Sequence, residues 1–227
     1  GPPALAQTDC FHDTPIFASD PSGFDDYFGT GISVDGAWAV VGASTFHDPP
    51  LADIGDAYIF ENDSGWSEFQ IIDNPEPNAG AVFGESASMS GDWVAISAPR
   101  QIIDADSHSG TVYMYYRDTG PFGSGNWLLG QTLTADDGAQ SATHQAYAQF
   151  GGPLAGSHQG VSLVGNFLII GEPHWDNGTY TDSGRVHVFG WNPTHSAWEG
   201  FQVLTPPSAG NFQTGKLRPL AITAPKR

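Results

Sequence analysis

Basic residues are scarce in this chain. Lys and Arg together number 7 against 25 Asp and Glu among 227 residues, so the formal net charge is −18. Proteins that bind nucleic acids or anionic membrane surfaces use clustered basic side chains to neutralise phosphates. We therefore expect no nucleic acid and no lipid surface among its partners. An acidic surplus of this size suits an extracellular protein that stays soluble by self-repulsion and has carboxylates available for cations.

Cysteine and long apolar runs are almost absent. Cys10 has no second cysteine to form an internal disulfide, and no stretch is long and apolar enough for membrane insertion. The pattern Ala4-Leu5-Ala6 is typical of the end of a secretory signal peptide. We interpret residues 1–23 as a signal-peptide remnant and N-terminal segment, with a disordered end or a cloning scar as the alternative. The predicted localisation is secreted or cell-surface.

Motifs that mark catalytic and zinc sites are also missing. The sequence has no His-Glu-x-x-His, no Gly-x-Ser-x-Gly and no glycine-rich phosphate loop before a helix. The acidic pairs 25–26 and 136–137 have the chemistry for acid–base work on a sugar, but such pairs more often serve as solvated turn residues. We predict no catalytic residue and no organic cofactor.

A repeat is what the sequence does contain. A hairpin pattern with a tight turn at Gly36 recurs at Gly91, 55 residues later, and at Gly165, 74 residues after that. Each copy is preceded by a Phe followed by Gly, and is followed by a strand that begins with Gly. A Trp with a Gln four residues later completes each copy. These pairs are Trp66 and Gln70, Trp127 and Gln131, and Trp198 and Gln202.

One repeat unit predicts four short strands, which in the first unit span about 31–34, 37–42, 57–61 and 67–72. Four antiparallel strands per unit are the signature of a β-propeller blade, with a regularly spaced β-sandwich as the alternative. We predict an all-β chain of about three and a half blades, an incomplete propeller. The units lie at about 24–78, 79–145 and 146–208, with a partial fourth at 209–227.

The units resemble the FG-GAP repeats of integrin α-chain-type β-propellers over residues 24–204. The residues that carry the resemblance are Phe28-Gly29, Phe83-Gly84, Gly42-Ala43-Ser44, Ser97-Ala98-Pro99 and Gly171-Glu172-Pro173. The resemblance implies a bacterial secreted protein, a role in extracellular binding or cell adhesion, and a ring of seven blades. Three blades and part of a fourth leave two sheet faces bare, so we expect missing blades or self-association.

The resemblance further implies calcium loops between the second and third strands of a unit. Calcium prefers several carboxylate and carbonyl oxygens on one flexible loop. In the second unit Asp104 and Asp106 match the first two acidic positions, but His108 stands at the third. The third unit offers Asp176 and Asp182. We name these four aspartates as candidate metal ligands, with a role in turn geometry as the alternative.

The 7 tryptophans divide into recurring and non-recurring ones. Recurrence at one strand position in successive units indicates packing between blades. Trp175 and Trp191 do not recur, and we predict that they bind ligand. The unit-specific segments 118–126 and 152–159 are further candidates, because loops on a rigid scaffold carry function.

Our leading hypothesis is a non-catalytic binding or adhesion module that recognises protein or glycan through loops on one propeller face. A propeller enzyme acting on polysaccharide, as hydrolase or lyase, is the rival hypothesis. A structural spacer in a larger surface protein is the third.

Overall fold

The computed structural model of the chain describes residues 15–20, 26–138, 144–153 and 159–206. Within these ranges lie twelve β-strands, one short 3-10 helix at Ala135–Asp137, and no α-helix. The first sheet contains β1 (Phe28–Asp35), β2 (Trp38–Ala43), β3 (Asp56–Asn62) and β4 (Trp66–Asp73). The second contains β5 (Ala87–Ser90), β6 (Trp93–Ala98), β7 (Thr111–Arg117) and β8 (Trp127–Leu133). The third contains β9 (Val161–Val164), β10 (Phe167–Glu172), β11 (Arg185–Asn192) and β12 (Ala197–Leu204).

Each sheet is an antiparallel meander whose strands follow one another in chain order. This confirms the predicted all-β class, and the three sheets are consistent with about three blades of a partial propeller. Each sheet lies within one predicted unit, and in the first sheet the predicted strand ends fall within three residues of the observed ones. Residues 1–14 of the predicted N-terminal segment, with Cys10, and the whole of the partial fourth unit at 209–227 lie outside the described residues.

The hairpins between the first two strands of each sheet close on glycine. Gly36, Gly91 and Gly165 have φ values of 60°, 58° and 55°, a left-handed conformation that the tight hairpin turn requires and that glycine adopts without steric cost. Successive side chains of the apolar strand that follows each turn point to opposite faces of the sheet. In the second sheet both faces are covered, so each buried residue of β6 packs against either the first or the third sheet.

Two apolar clusters join neighbouring sheets. The first lies between sheets one and two and includes Val40, Ile59, Ile96, Tyr113 and Trp127. The second lies between sheets two and three and includes Met114, Leu133, Leu168, Phe189 and Trp198. The innermost strands β1, β5 and β9 are also in mutual contact, in that order. The sheets therefore stack face to face, as blades do.

Four of the five recurring tryptophans lie in these interfaces, as their recurrence predicts, and the fifth, Trp66, lies on the outward surface of the first sheet. Trp38 at the start of β2 packs edge-on against Trp127 of the next sheet, with ring centroids 5.7 Å apart. Trp93 at the start of β6 packs in the same way against Trp198, at 5.6 Å. Trp127 and Trp198 are 1% and 2% exposed.

A glutamine holds the backbone of each buried tryptophan. Gln70 of β4 accepts a hydrogen bond from the Trp127 amide at 2.8 Å and donates one to the Trp127 carbonyl at 2.9 Å. Gln131 of β8 makes the same pair of bonds with Trp198, at 2.8 and 3.0 Å. One side-chain amide therefore satisfies both polar groups of a buried backbone position on the neighbouring sheet.

A β-bulge explains how one strand presents its Trp and its Gln to opposite neighbours. Residues four apart in a regular strand point to the same side, yet Trp127 packs on the first sheet while Gln131 bonds to the third. The register of β7 with β8 shifts between Met114 and Tyr115, which inserts one extra residue between this Trp and Gln. The insertion reverses the side on which the following side chains lie. The outer strands β4 and β12 have the same shift.

Polar residues are buried where the third strand of each sheet begins. Asp56, Thr111 and Arg185 occupy this position and face Ala43, Ala98 and Glu172 across the sheet. In the third sheet the fully buried Glu172 forms an ion pair with Arg185, and its Oε2 lies 2.7 Å from His187 Nε2. In the first sheet Asp56 has no cation opposite it. Burial, and next the charge of Asp73, raise the pKa of Asp56 from 3.8 to about 8.

We predict that replacing Gln70 or Gln131 with Ala lowers the free energy of unfolding by about 1–3 kcal/mol, because a buried backbone amide and carbonyl lose their partner. Urea denaturation followed by tryptophan fluorescence measures the change. Gln→Glu at the same sites keeps the acceptor and loses the donor, so it should also destabilise. Unchanged unfolding midpoints in both Ala variants would contradict the role given to these bonds.

We predict that the chain loses stability as pH rises from about 4 to about 8. In this range folded Asp56 still binds a proton that the unfolded chain has released, so the unfolding free energy falls with pH, by at most about 1.4 kcal/mol per pH unit. Asp56→Asn keeps the neutral shape and should flatten this part of the profile. Urea midpoints at pH 5 and pH 8 for both proteins test this, and equal pH slopes would refute it.

Candidate functional site

All long loops but one lie at the same end of the sheets. In a meander of four strands, the loop from second to third strand and the connector to the next sheet share one end. We call this end the loop face. It comprises the loops 44–55, 99–110 and 173–184 and the described parts of the connectors 74–86 and 134–160. The opposite end has short turns, apart from residues 118–126.

Connectors join the loops of neighbouring sheets into one surface. The first connector bonds through Val82 N to the carbonyl of Asp53, at 3.0 Å. The second connector bonds through Tyr147 N to the carbonyl of Ser107, at 2.8 Å. It also reaches the third sheet, where Gln145 accepts a hydrogen bond from the Asp176 amide at 2.7 Å. The loops of sheets two and three therefore hold a fixed position relative to each other.

Backbone strain is concentrated on the loop face. Ten described residues other than glycine have left-handed φ angles, and nine of them lie in these loops and connectors or directly before β1. The nine are Tyr27, Asp53, Val82, Asp104, Ala105, His108, Tyr147, Gln149 and Asp182. Such conformations cost energy and persist only where surrounding contacts fix them, and they cluster at functional sites.

Two exposed tyrosines stand on the loop face of sheets two and three. Tyr147 is 60% exposed and has its ring edge-on to His108, with centroids 5.2 Å apart. Tyr180 is 49% exposed at the tip of the third-sheet loop, where Asn177 Oδ1 accepts hydrogen bonds from the amides of Thr179 and Tyr180. Such an Asx turn fixes the loop tip and presents Tyr180 to solvent.

The sequence signal for Tyr147 was available in the alignment of the two connectors. Residues 80–84 and 147–151 correspond, since each ends in the Phe-Gly pair. Gly80 has a φ of 78°, and Tyr147 has a φ of 65° at the same position. Glycine is the natural residue there, so an exposed aromatic in its place is locally unfavourable. Our sequence analysis did not select Tyr147 or Tyr180.

One of the two candidate metal ligands on the second-sheet loop contacts a histidine. Asp104 is exposed, and Asp106 Oδ2 lies 3.3 Å from Nε2 of His144 on the connector. The other ring nitrogen, Nδ1, lies 2.8 Å from Asp136. His144 therefore bridges a loop carboxylate and a connector carboxylate. Asp137 caps the 3-10 helix through the Thr134 amide at 2.7 Å, so the acidic pair 136–137 serves two separate contacts.

The candidate ligands of the third sheet are close to each other. Asp176 accepts a hydrogen bond from the Asp182 amide at 2.7 Å, and Asp182 Oδ1 lies 3.0 Å from His174 Nδ1. Among the described residues, no three His, Cys, Asp or Glu side chains are grouped so that they could hold a metal ion. Calcium at either loop would therefore have to take most of its ligands from carbonyl oxygens and water.

Trp175 lies at the base of the third-sheet loop and is half-buried. The Arg185 guanidinium lies over its ring, 4.7 Å from the centroid, and this guanidinium also pairs with the buried Glu172. The Trp175 carbonyl accepts hydrogen bonds from the Gly184 amide and the Ser183 hydroxyl, both at 3.0 Å. Trp175 therefore anchors the loop that presents Tyr180 while keeping part of its surface exposed.

Trp191, our second ligand candidate, lies at the opposite end from the loop face. Its ring is 4.8 Å from Trp93 and 5.8 Å from Trp198, within the cluster between sheets two and three. It occupies the strand position of Arg117, whose guanidinium lies over Trp38 at 5.0 Å. This strand position therefore has a packing role in both units, although its residue is Arg in the second unit and Trp in the third. We do not include Trp191 in the candidate site.

Of the two unit-specific segments, one lies away from the loop face and the other lies mostly outside the described residues. Residues 118–126 lie at the end opposite the loop face, with Phe122 fully exposed. Residues 154–158 of the other segment lie outside the described residues. The candidate site is therefore the loop face of sheets two and three.

Comparison with known protein families identifies the repeat. The family model described as FG-GAP repeat matches residues 13–60 and 66–115, which include five of the twelve strands in full and most of two others. A search of curated proteins found no match. The part of the chain that the structure describes has no helix that could cross a membrane. FG-GAP repeats build propeller-type modules that are often used for binding. Residues 13–115 therefore contain FG-GAP repeats, and the three sheets of one topology are consistent with a β-propeller of the FG-GAP type.

Proposed function

We propose that the chain is a non-catalytic extracellular binding module, secreted or attached to a cell surface. It recognises a protein or a glycan through the loop face of sheets two and three. The net charge of −18 supports an extracellular role with a partner other than nucleic acid.

The observation that carries the proposal is Tyr147. An aromatic ring that is 60% exposed occupies a left-handed position where the equivalent residue of the first connector is glycine. The ring buries little surface, so folding gains little from it, and the backbone conformation is unfavourable for a residue with a side chain. Contact with a partner explains why a residue that costs stability stands there.

The chemistry around Tyr147 suits a partner rich in hydroxyl or amide groups. Tyrosine offers a flat apolar ring with a polar tip, which stacks on sugar rings and anchors protein interfaces. The exposed carboxylates of Asp104 and Asp182 lie on the same loops and accept hydrogen bonds. The connector bonds between these loops fix the arrangement before binding, which reduces the entropy lost on association.

We predict that Tyr147→Gly abolishes binding to the partner found on glycan and protein arrays, and leaves the melting temperature unchanged or higher. Glycine removes the ring and relieves the strained conformation, so loss of binding and loss of fold are separated. Tyr180→Ala should weaken binding by about tenfold or more.

Phe122→Ala is the control, because it removes a still more exposed aromatic ring at the opposite end of the sheets. It should bind like the unmodified chain. If the Tyr147 and Tyr180 variants bind normally while Phe122→Ala does not, the recognition surface lies at the end opposite the loop face and the proposal is wrong. If no array yields a partner but reducing ends or unsaturated sugars are released from a polysaccharide panel, the protein is an enzyme instead.

We propose further that calcium binds the loops carrying Asp104 and Asp106 or Asp176 and Asp182. Extracellular calcium modules typically have dissociation constants on the order of 10⁻⁴–10⁻³ M. At a calcium concentration about ten times a millimolar constant, linkage stabilises the folded state by about 1.4 kcal/mol. We expect calcium to raise the melting temperature by about 3–5 °C, an increase that magnesium does not reproduce.

Asp104→Asn and Asp182→Asn assign the calcium effect to one loop or the other. The variant in the binding loop should lose the increase in melting temperature, and the other variant should keep it. Equal melting temperatures with calcium and with chelator in the unmodified chain would rule out both loops.

A further inference from the structure

The first and third sheets each have one face that no other described sheet covers. On the first sheet, Ile32 and Val34 of β1 are 69% and 64% exposed. They line an open apolar groove of about 490 Å³ with Phe28, Val41 and Trp66. We call this surface the first-sheet face. Residues 15–20 lie along part of it, where Ser19 bonds to Glu68 of β4.

On the third sheet, the corresponding outward surface is also apolar. Phe167 of β10, Ile169 of β10 and Phe201 of β12 are 59%, 46% and 52% exposed. A second cavity, of about 570 Å³, lies at the base of this surface beside Gly184. We call it the third-sheet face. Each face exposes the kind of apolar area that an intact interface buries.

The two interfaces already present in the chain use one set of contacts twice. At the outer edge, the aromatic residue that begins a second strand packs on a Trp of the next sheet, and a Gln holds the backbone of that Trp. The third-sheet face carries the same two elements, Phe167 and Gln202, at the equivalent positions. The bulge that directs Gln131 toward its neighbour is present before Gln202 as well. The matching Trp is Trp66 on the first-sheet face.

At the inner edge, a serine hydroxyl accepts a hydrogen bond from the next sheet's innermost strand. Ser33 accepts from the Met89 amide at 3.0 Å, and Ser88 accepts from the Leu163 amide at 2.9 Å. The equivalent serine on the third sheet is Ser162. Counting from the hairpin glycines, the residue of the first sheet that matches Met89 and Leu163 is Val34.

At the base, the Phe of each Phe-Gly pair contacts the glycine that begins the third strand of the preceding sheet. Phe83 N donates to the carbonyl of Ile54 at 3.0 Å, and Phe150 N donates to the carbonyl of Ser109 at 2.8 Å. A Cβ on Gly55 or Gly110 would lie within 2.5 Å of that Phe backbone. The third-sheet cavity beside Gly184 is the equivalent place. The matching Phe-Gly pair on the first-sheet face begins with Phe28.

We propose that the third-sheet face binds the first-sheet face of a second copy of this chain, head to tail. Both existing interfaces make the same four contacts. For each contact, the residue that would form one side lies on the third-sheet face and the residue that would form the other lies on the first-sheet face. All of these residues are described. The new interface would continue the existing stack of sheets. The described sheets of two chains would form six blades, within the four to eight with which propellers close.

The test begins with the mass of the full chain in solution, measured by size-exclusion chromatography with light scattering. We expect about 48 kDa, twice the 24.1 kDa of one chain. Gln202→Ala should weaken association about tenfold, because an unpaired amide and carbonyl are left in the interface. Ile32→Asp should give monomers, since it places a charge in the apolar groove. Phe122→Asp places the same charge at an exposed position outside both faces, and it should leave the mass unchanged.

Cross-linking tests the head-to-tail orientation. In a Cys10→Ser background, Val34→Cys and Ser162→Cys are made as separate proteins, mixed and mildly oxidised. The mixture should give disulfide-linked pairs, whereas either protein alone should not. A monomeric full chain would overturn the proposal. Equal cross-linking in the single proteins, or association unaffected by Gln202→Ala and Ile32→Asp, would overturn it too.

Discussion

The contact between a buried tryptophan and the sheet before it is the interaction on which the architecture depends. Trp127 and Trp198 fill the outer edges of the two interfaces with their rings, while their backbone groups are satisfied by Gln70 and Gln131. Apolar packing supplies most of the stabilisation, but it is not directional. The paired hydrogen bonds are directional, so they fix the height and angle at which one sheet meets the next. Without them the apolar faces would still adhere, but with no single register.

This rigid stacking decides what the loop face can do. The strands of the second sheet are fixed by contacts on both faces and those of the third sheet by contacts on one, so the loops begin and end at well-defined points. The connectors then bond to loops on either side, as Gln145 does with Asp176, and hold left-handed residues such as Tyr147 in place. A surface of this kind is prepared for a ligand before the ligand arrives. The turn end has almost no comparable strain, with Ser196 its one left-handed residue other than glycine among those described.

The sequence predicts the sheets well, because the repeat and the hairpin glycines are local signals. Strand ends in the first unit differ from the prediction by no more than three residues, and four of the five recurring tryptophans lie in the clusters between sheets. The Gln of each unit was visible as a landmark but its partner was not, because the bulge that turns it outward depends on the pairing of strands. Trp191 was selected as non-recurring, although its position recurs with Arg117. The equivalence of these two positions follows from the strand register and cannot be read from the identity of the side chains.

The bulge between tryptophan and glutamine also bears on how such proteins change length. Because the bulge turns the two side chains to opposite sides, every unit carries its tryptophan on the side of the preceding unit and its glutamine on the side of the following unit. A gene duplication that inserts one more unit therefore supplies the residues for both new interfaces at once, and the neighbouring units need no compensating substitution. Deletion of a unit leaves the flanking units equally able to join. The number of units is free to vary in evolution while the rule for joining them stays the same.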